Sequence, residues 1–185
     1  MRMTERRDRY HHGDLRQALI DAAAAEIAEH GPSAISLRAI ARRAGVSHAA
    51  PAHHFGDRAG LLSAVAAEGF RRMNEHMLDA ASGSDEPLMA IGRAYVDFAR
   101  TNPGEFAVMF RPELLGPDPE LDANGAAARQ RLAEAIAATP GAVGDGEDPA
   151  VTAARLWSLV HGLATLIITG SLPADDDLVD QVLRG

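Results

Sequence analysis

Apolar residues recur along this chain at the three- and four-residue spacing of an amphipathic helix, and no segment reads as a strand. Leu15, Leu19, Ala22, Ala23 and Ile27 share one face of a run that opens at Gly13 or Asp14 and ends at Gly31-Pro32. Gly suits the position just past a helix, and Pro cannot continue one. Ser36 is a good N-cap for a short helix over 37–44 that stops at Gly45. Ser47 reads as a second cap, opening a helix that reaches about His54, with Pro51 expected to cost one backbone bond. Phe55-Gly56 is a turn, and Asp57 caps a longer helix to about Ala80 carrying Leu61, Leu62, Val65, Phe70, Met73 and Met77.

After Ser82-Gly83-Ser84, the best domain boundary, the pattern predicts helices over 85–100, 105–110 and 121–139, the last weakened by Asn124-Gly125. A long apolar helix over 149–169 and a short acidic one over 175–183 follow. The reading is all-α, about nine helices with short connections, which suits an antiparallel bundle. Helix 149–169 is apolar on nearly every side: Leu156, Leu159, Val160, Leu163, Ala164, Leu166, Ile167 and Ile168. A helix of that kind must face more than its own domain, so it predicts a homodimer.

Composition narrows the chemistry. A chain of 185 residues makes one domain, or two small ones sharing a core. It has no cysteine, which excludes a disulfide scaffold, Cys-ligated zinc and a thiol nucleophile. All 18 basic residues are arginine, so no lysine mechanism is open to it. The net charge of −8 is uneven: residues 1–58 hold 9 Arg against 7 acids, while residues 59–185 hold 9 Arg against 19. An anionic partner should therefore meet the N-terminal third. The first residues, MRMTERRDRYHHGD, hold no apolar run, so no signal peptide is read there. The most apolar stretch, 156–168, is shorter than the roughly 20 residues a membrane span needs. The expectation is a cytoplasmic protein with no membrane partner.

Residues 36–55, SLRAIARRAGVSHAAPAHHF, carry the sharpest signal. Two short helices are joined by a turn containing Gly45. The first points Leu37, Ile40 and Ala41 inward and Arg38, Arg42 and Arg43 outward. This is the layout of a helix-turn-helix that reads double-stranded DNA. The first helix braces against phosphates, and the second enters a major groove about 12 Å wide. Small Ala49 and Ala50 let it sit deep, while Ser47, His48, His53 and His54 donate or accept. Arg58 opens the next helix, where guanidinium and helix dipole both favour a phosphate. Arg6, Arg7, Arg9 and Tyr10 form a flexible basic arm that adds to this surface. The pairs His11-His12 and His53-His54 are not read as metal ligands, since adjacent helical residues point about 100° apart.

With these residues in hand, the chain resembles the tetracycline-repressor (TetR) family. YHHGDLRQALIDAAAAEIAEHG resembles the family's first helix, and HFGDRAGLLSAVA its HFxxKxxLL pattern, with Arg58 in place of the usual Lys. FARTNPGEFAVMFRPEL resembles the segment ahead of the effector pocket. LWSLVHGLATL resembles the Trp-His-Gly signature of one effector-domain subclass. The family usually carries Tyr late in the recognition helix, where it touches a phosphate; this chain has Ala52. The resemblance implies a basic arm at 1–12, a helix-turn-helix domain at 13–56, a connecting helix at 57–80, and a ligand-binding and dimerisation domain at 85–185.

It also implies a repressor released from a palindromic operator by a small apolar or amphipathic effector. Met89, Tyr95, Phe98, Phe106, Met109, Phe110, Trp157 and His161 are core residues by default, and the resemblance sets some of them around an effector pocket. Trp157, His161 and Phe98 are expected to border it. No nucleophile elbow, Gly-rich phosphate loop or HExxH occurs, so neither an enzyme nor a cofactor is predicted. The competing reading, prompted by Ala52 and the net acidity, is a helical ligand-binding or interaction protein that has lost operator binding.

Overall fold

The computed structural model of the protein describes residues 12–184, and within them there is no strand. Nine α-helices follow one another: α1 His12–His30, α2 Leu37–Arg43, α3 Ala50–Phe55, α4 Arg58–Ala81, α5 Pro87–Thr101, α6 Pro103–Met109, α7 Pro119–Ala138, α8 Pro149–Ile168 and α9 Asp176–Arg184. A single 3₁₀ turn, Pro112–Leu114, lies between α6 and α7.

Local chemistry sets the boundaries. Gly31, with φ of 77°, closes α1 in the left-handed region that a side chain rarely enters. Ser36 Oγ accepts from the Ala39 N–H at 3.2 Å, and Asp57 Oδ1 accepts from the Gly60 N–H at 2.9 Å. α7 and α8 both open with an Asp-Pro pair. Asp118 Oδ1 accepts from Glu120 N and Leu121 N, Asp148 Oδ1 accepts from Ala150 N, and each following Pro takes the first helical position.

α4 is the spine. It packs on α1 and α3 toward the N-terminus and on α5, α6 and α7 beyond. One core runs the length of the chain, from Leu19, Ile27 and Ile40 through Leu61, Leu62 and Met73 to Val96, Val108 and Leu163. α6 is wedged between α1 and α4 through two glycines. A Cβ on Gly104 would lie 2.0 Å from the Ala24 carbonyl oxygen, and one on Gly69 would lie 2.8 Å from Met109 Sδ. The helices can approach this closely only because both positions lack a side chain.

Several expectations need correction. Ser47 does not cap α3. The helix begins at Ala50 without a side-chain cap, after a turn in which the Ser47 carbonyl accepts from Ala50 N at 3.0 Å. Nor does Pro51 cost a backbone bond: it sits in the first turn, where its missing N–H would have had no intrahelical partner. α7 runs unbroken through Asn124-Gly125. Asn124 Nδ2 donates to the Ala67 carbonyl at 3.1 Å, and the Asn124 carbonyl accepts from Asn74 Nδ2 at 2.9 Å, tying α7 to α4.

The apolar C-terminal stretch belongs to a 20-residue helix, and by length and composition α8 could cross a membrane. Its Val160, Leu163, Ala164 and Ile167 are nevertheless buried, and the helix packs on α5, α7 and α9. Nor is α8 buried all round within one chain: Val151, Leu159 and Leu166 stay 54%, 38% and 45% exposed.

Candidate DNA interface and effector cavity

The N-terminal three helices form a compact unit braced by charge. Arg43, at the end of α2, turns back to α1. Its Nε donates to Glu26 at 3.0 Å, and its two terminal nitrogens hold both oxygens of Glu29 at 2.8 and 2.6 Å. Arg43 is thus outward-facing but occupied. Arg38 and Arg42 on the same helix are exposed and form no ion pair among the described residues. Gly45 has φ of 68°, the left-handed conformation its turn requires, and Val46 packs beneath it on the core.

In the turn before α3, Ser47, His48 and Ala49 are exposed; on α3 itself His53 is exposed, Ala50 and His54 are half-buried, and Pro51 is buried. The His54 ring lies 5.6 Å from His53 and 6.0 Å from Phe55, whose own face is covered by the Arg16 guanidinium at 5.6 Å. Ala52, where the family pattern has Tyr, is exposed. Arg58 stands at the first position of α4, yet its Nη2 donates to the Pro32 carbonyl at 2.5 Å. That contact pins the α1–α2 connection to α4 and draws the side chain half out of solvent. Arg6, Arg7, Arg9 and Tyr10 lie outside the described residues.

A cavity of about 940 Å³ opens between α4, α5, α7 and α8. Of the residues singled out from sequence, Met89, Tyr95, Met109, Phe110 and Trp157 line it. Phe98, Phe106 and His161 are not on its wall. Phe98 is in the core, and Phe106 and His161 form the layer behind the wall, with their rings stacked at 5.5 Å. Tyr95 joins wall to support: its hydroxyl meets His161 Nδ1 at 2.8 Å, and Phe110 packs edge-on against His161 at 4.6 Å.

Burial pushes the Tyr95 phenol above its usual pKa, opposed by a hydrogen bond from Trp157. Burial likewise holds the His161 imidazole below its usual pKa, and hence neutral at neutral pH. The deep hydroxyl of the wall, that of Tyr95, is thus already bonded to His161 behind it. The cavity offers an apolar guest shape and dispersion contacts rather than a reactive group.

Sequence reasoning missed two parts of the wall. Phe70, Met73 and Met77 of α4 line the cavity, although their spacing marked them only as core. Leu121, Gly125, Ala128 and Leu132 supply a stripe from α7. The four-, three- and four-residue spacing of that stripe was its legible signal. Among the described residues, no group of three or more His, Asp or Glu is placed to hold a metal ion.

Similarity to known proteins agrees with this geometry. Residues 19–65 match the family of bacterial regulatory proteins, tetR family, and residues 88–184, more than half the chain, match the tetracyclin repressor-like C-terminal domain. The chain belongs to the TetR family. TetR-family regulators bind DNA operators and act as dimers, so this chain is a DNA-binding transcriptional regulator and not an enzyme.

Among its relatives is an uncharacterized HTH-type transcriptional regulator of Mycobacterium tuberculosis, 26% identical over 177 residues, covering 91% of this chain and 78% of that protein. A protein of unknown function from Rhodococcus sp. RHA1 is 32% identical with a TM-score of 0.76, covering 96% of this chain and 93% of the other. The transcriptional regulator FadR from Bacillus subtilis, solved in complex with stearoyl-CoA, shares the fold at a TM-score of 0.75 and 18% identity, covering 91% and 95%.

Proposed function

We propose that this TetR-family chain is a ligand-responsive repressor, working in the cytoplasm as a homodimer and released from an inverted-repeat operator by a small apolar or amphipathic molecule. The observation that carries the reading is the double engagement of α4. Its first residue holds the Pro32 carbonyl beside the helix-turn-helix, and its Phe70, Met73 and Met77 form one wall of the cavity. A guest that favours one position of α4 therefore favours one spacing of the two recognition helices. Its differential affinity for the two states sets how far the population moves. That a stearoyl-CoA complex exists in the same fold supports a long apolar guest.

In this reading residues 13–56 bind DNA, residues 57–80 connect, and residues 85–185 bind ligand and dimerise. Arg38 contacts phosphate. Ser47, His48, His53 and His54, on a surface kept shallow by Ala49 and Ala50, face the major groove. The arm residues Arg6, Arg7, Arg9 and Tyr10 add phosphate contacts, and Arg58 both fixes Pro32 and lies near the backbone.

A mobility-shift series on the chain's own upstream region is the test. Retardation should weaken steeply between about 50 and 200 mM salt, because released counterions drive binding. His48→Ala should relax preference at one position of each half-site, whereas Arg38→Ala should weaken all sequences alike. A cavity-filling ligand should release the complex. Ala52, exposed where the family carries a phosphate-binding Tyr, favours a second reading, a ligand-binding protein without an operator. Failure to retard any upstream fragment at low salt would select that one.

A further inference from the structure

The charge of the cavity wall is as informative as its shape. Its aromatic surface comes from Phe70, Tyr95, Phe110 and Trp157. The ionisable side chains on it are Asp85, Glu86, Asp122 and Arg129, three carboxylates against one guanidinium. Of the nine arginines in residues 59–185, seven are committed to ion pairs, six of them away from the cavity wall. The seventh, Arg184, reaches Glu86 from 3.5 Å. Even with Arg184 counted, the wall stays acidic by one charge. Asp85 and Asp122 have no ion-pair partner among the described residues.

We propose, on the reading that this cavity is the effector site, that it selects lipophilic organic cations over neutral and anionic molecules of the same size. Two independent features of the wall favour positive charge. Ring faces attract a cation through their quadrupole, most strongly where water is excluded. Carboxylates at the rim attract the same charge and repel a carboxylate or phosphate headgroup, and a low-dielectric wall focuses that field. The four methionines lining the cavity, Met73, Met77, Met89 and Met109, are unbranched and polarisable, so the apolar part of the guest can vary in shape. A molecule with an anionic head meets like charge where the wall reaches solvent, at the exposed Asp85, Glu86 and Asp122.

Trp157 supplies the readout, since it is the single tryptophan of the chain and stands on the wall. Three probes with one decyl tail are titrated below their micelle concentrations at low salt: decyltrimethylammonium, 1-decanol and decanoate. Trp157 fluorescence should report binding of the cation about tenfold tighter than decanoate and about threefold tighter than decanol, a spread consistent with one cation–π contact plus one rim charge. In the Asp85→Asn, Asp122→Asn double variant, checked for an unchanged unfolding temperature, the cation's advantage over decanoate should shrink severalfold, while the smaller part owed to the ring faces remains. Decanoate binding as tightly as the cation, or an advantage over decanoate unchanged in the double variant, overturns the charge selection. Decanol binding without any preference for the cation removes this inference and leaves the effector site standing. Silence from all three probes removes both.

Discussion

His161 shows how one residue can serve a cavity without touching its contents. It sits behind the wall, bonded through Nδ1 to the Tyr95 hydroxyl and packed between Phe106 and Phe110. If the phenol donates to Nδ1, the imidazole proton rests on Nε2, and protonating the ring would end that bond. The direction of the pH effect follows. Burial depresses the folded-state pKa, so above the unfolded value of about 6.5 the ring is neutral in both states and the contribution is intact. As pH falls, the unfolded chain takes up its proton first, and stability is lost until the folded-state value is passed. His161→Gln keeps an acceptor for Tyr95 but does not titrate in this range. Denaturant midpoints measured from pH 7.5 to pH 5 should therefore fall less in the variant than in the parent. Parallel curves would show that burial does not shift the His161 pKa between the unfolded and folded states.

At the scale of elements, the placement of α6 depends on what Gly104 and Gly69 lack. Gly104 lies against the backbone of Ala24, so the atom a substitution would strike cannot swing aside. Gly104→Ala should cost on the order of 3 kcal/mol, the upper end of overpacking, and should prise α1 from α6. A urea melt and amide exchange on α1 would show it. Gly69→Ala should cost less, because it meets side-chain atoms, Met109 Sδ at 2.8 Å and Glu105 Cβ at 2.9 Å, rather than a backbone carbonyl at 2.0 Å. A glycine inside the long α4 was visible in the sequence as a residue that disfavours helix by about 1 kcal/mol relative to Ala. What it approaches was not visible, because the contact joins residues 69 and 105–109 across the whole of the intervening α5. The same holds for Asn74 and Asn124, which look like weak helix residues until they are seen bonding α4 to α7.

For the whole molecule, the decisive surface is the open side of α8. Val151, Leu159 and Leu166 recur at eight- and seven-residue intervals, which keeps them on one face of the helix, and that face points away from the core. The two-fold pairing that TetR-family regulators adopt would bury this row against the same row of a second copy. Light scattering at low micromolar concentration should give a dimer for the parent, and a mass near the monomer for Leu159→Asp with Leu166→Asp. The paired variant should also lose operator binding, because one recognition helix reads only one half-site.

The sequence by itself determined the helices, because spacing and capping are local. Ser36, Asp57, Gly31 and Gly45 act within a few residues of themselves, and the structure finds them in those roles. It also determined the helix-turn-helix, whose inward and outward faces are written at helical spacing over some twenty residues. Tertiary structure alone decided which large side chains face empty space. Tyr95 and Phe98, three residues apart on α5, are equally apolar in pattern and equally buried, yet one stands on the cavity wall and the other in the core. It decided too that Arg43 is consumed by Glu26 and Glu29 and that Arg58 reaches Pro32. Periodicity says that a residue is turned inward. What it meets there depends on helices brought together from distant parts of the chain, and no local pattern encodes that meeting.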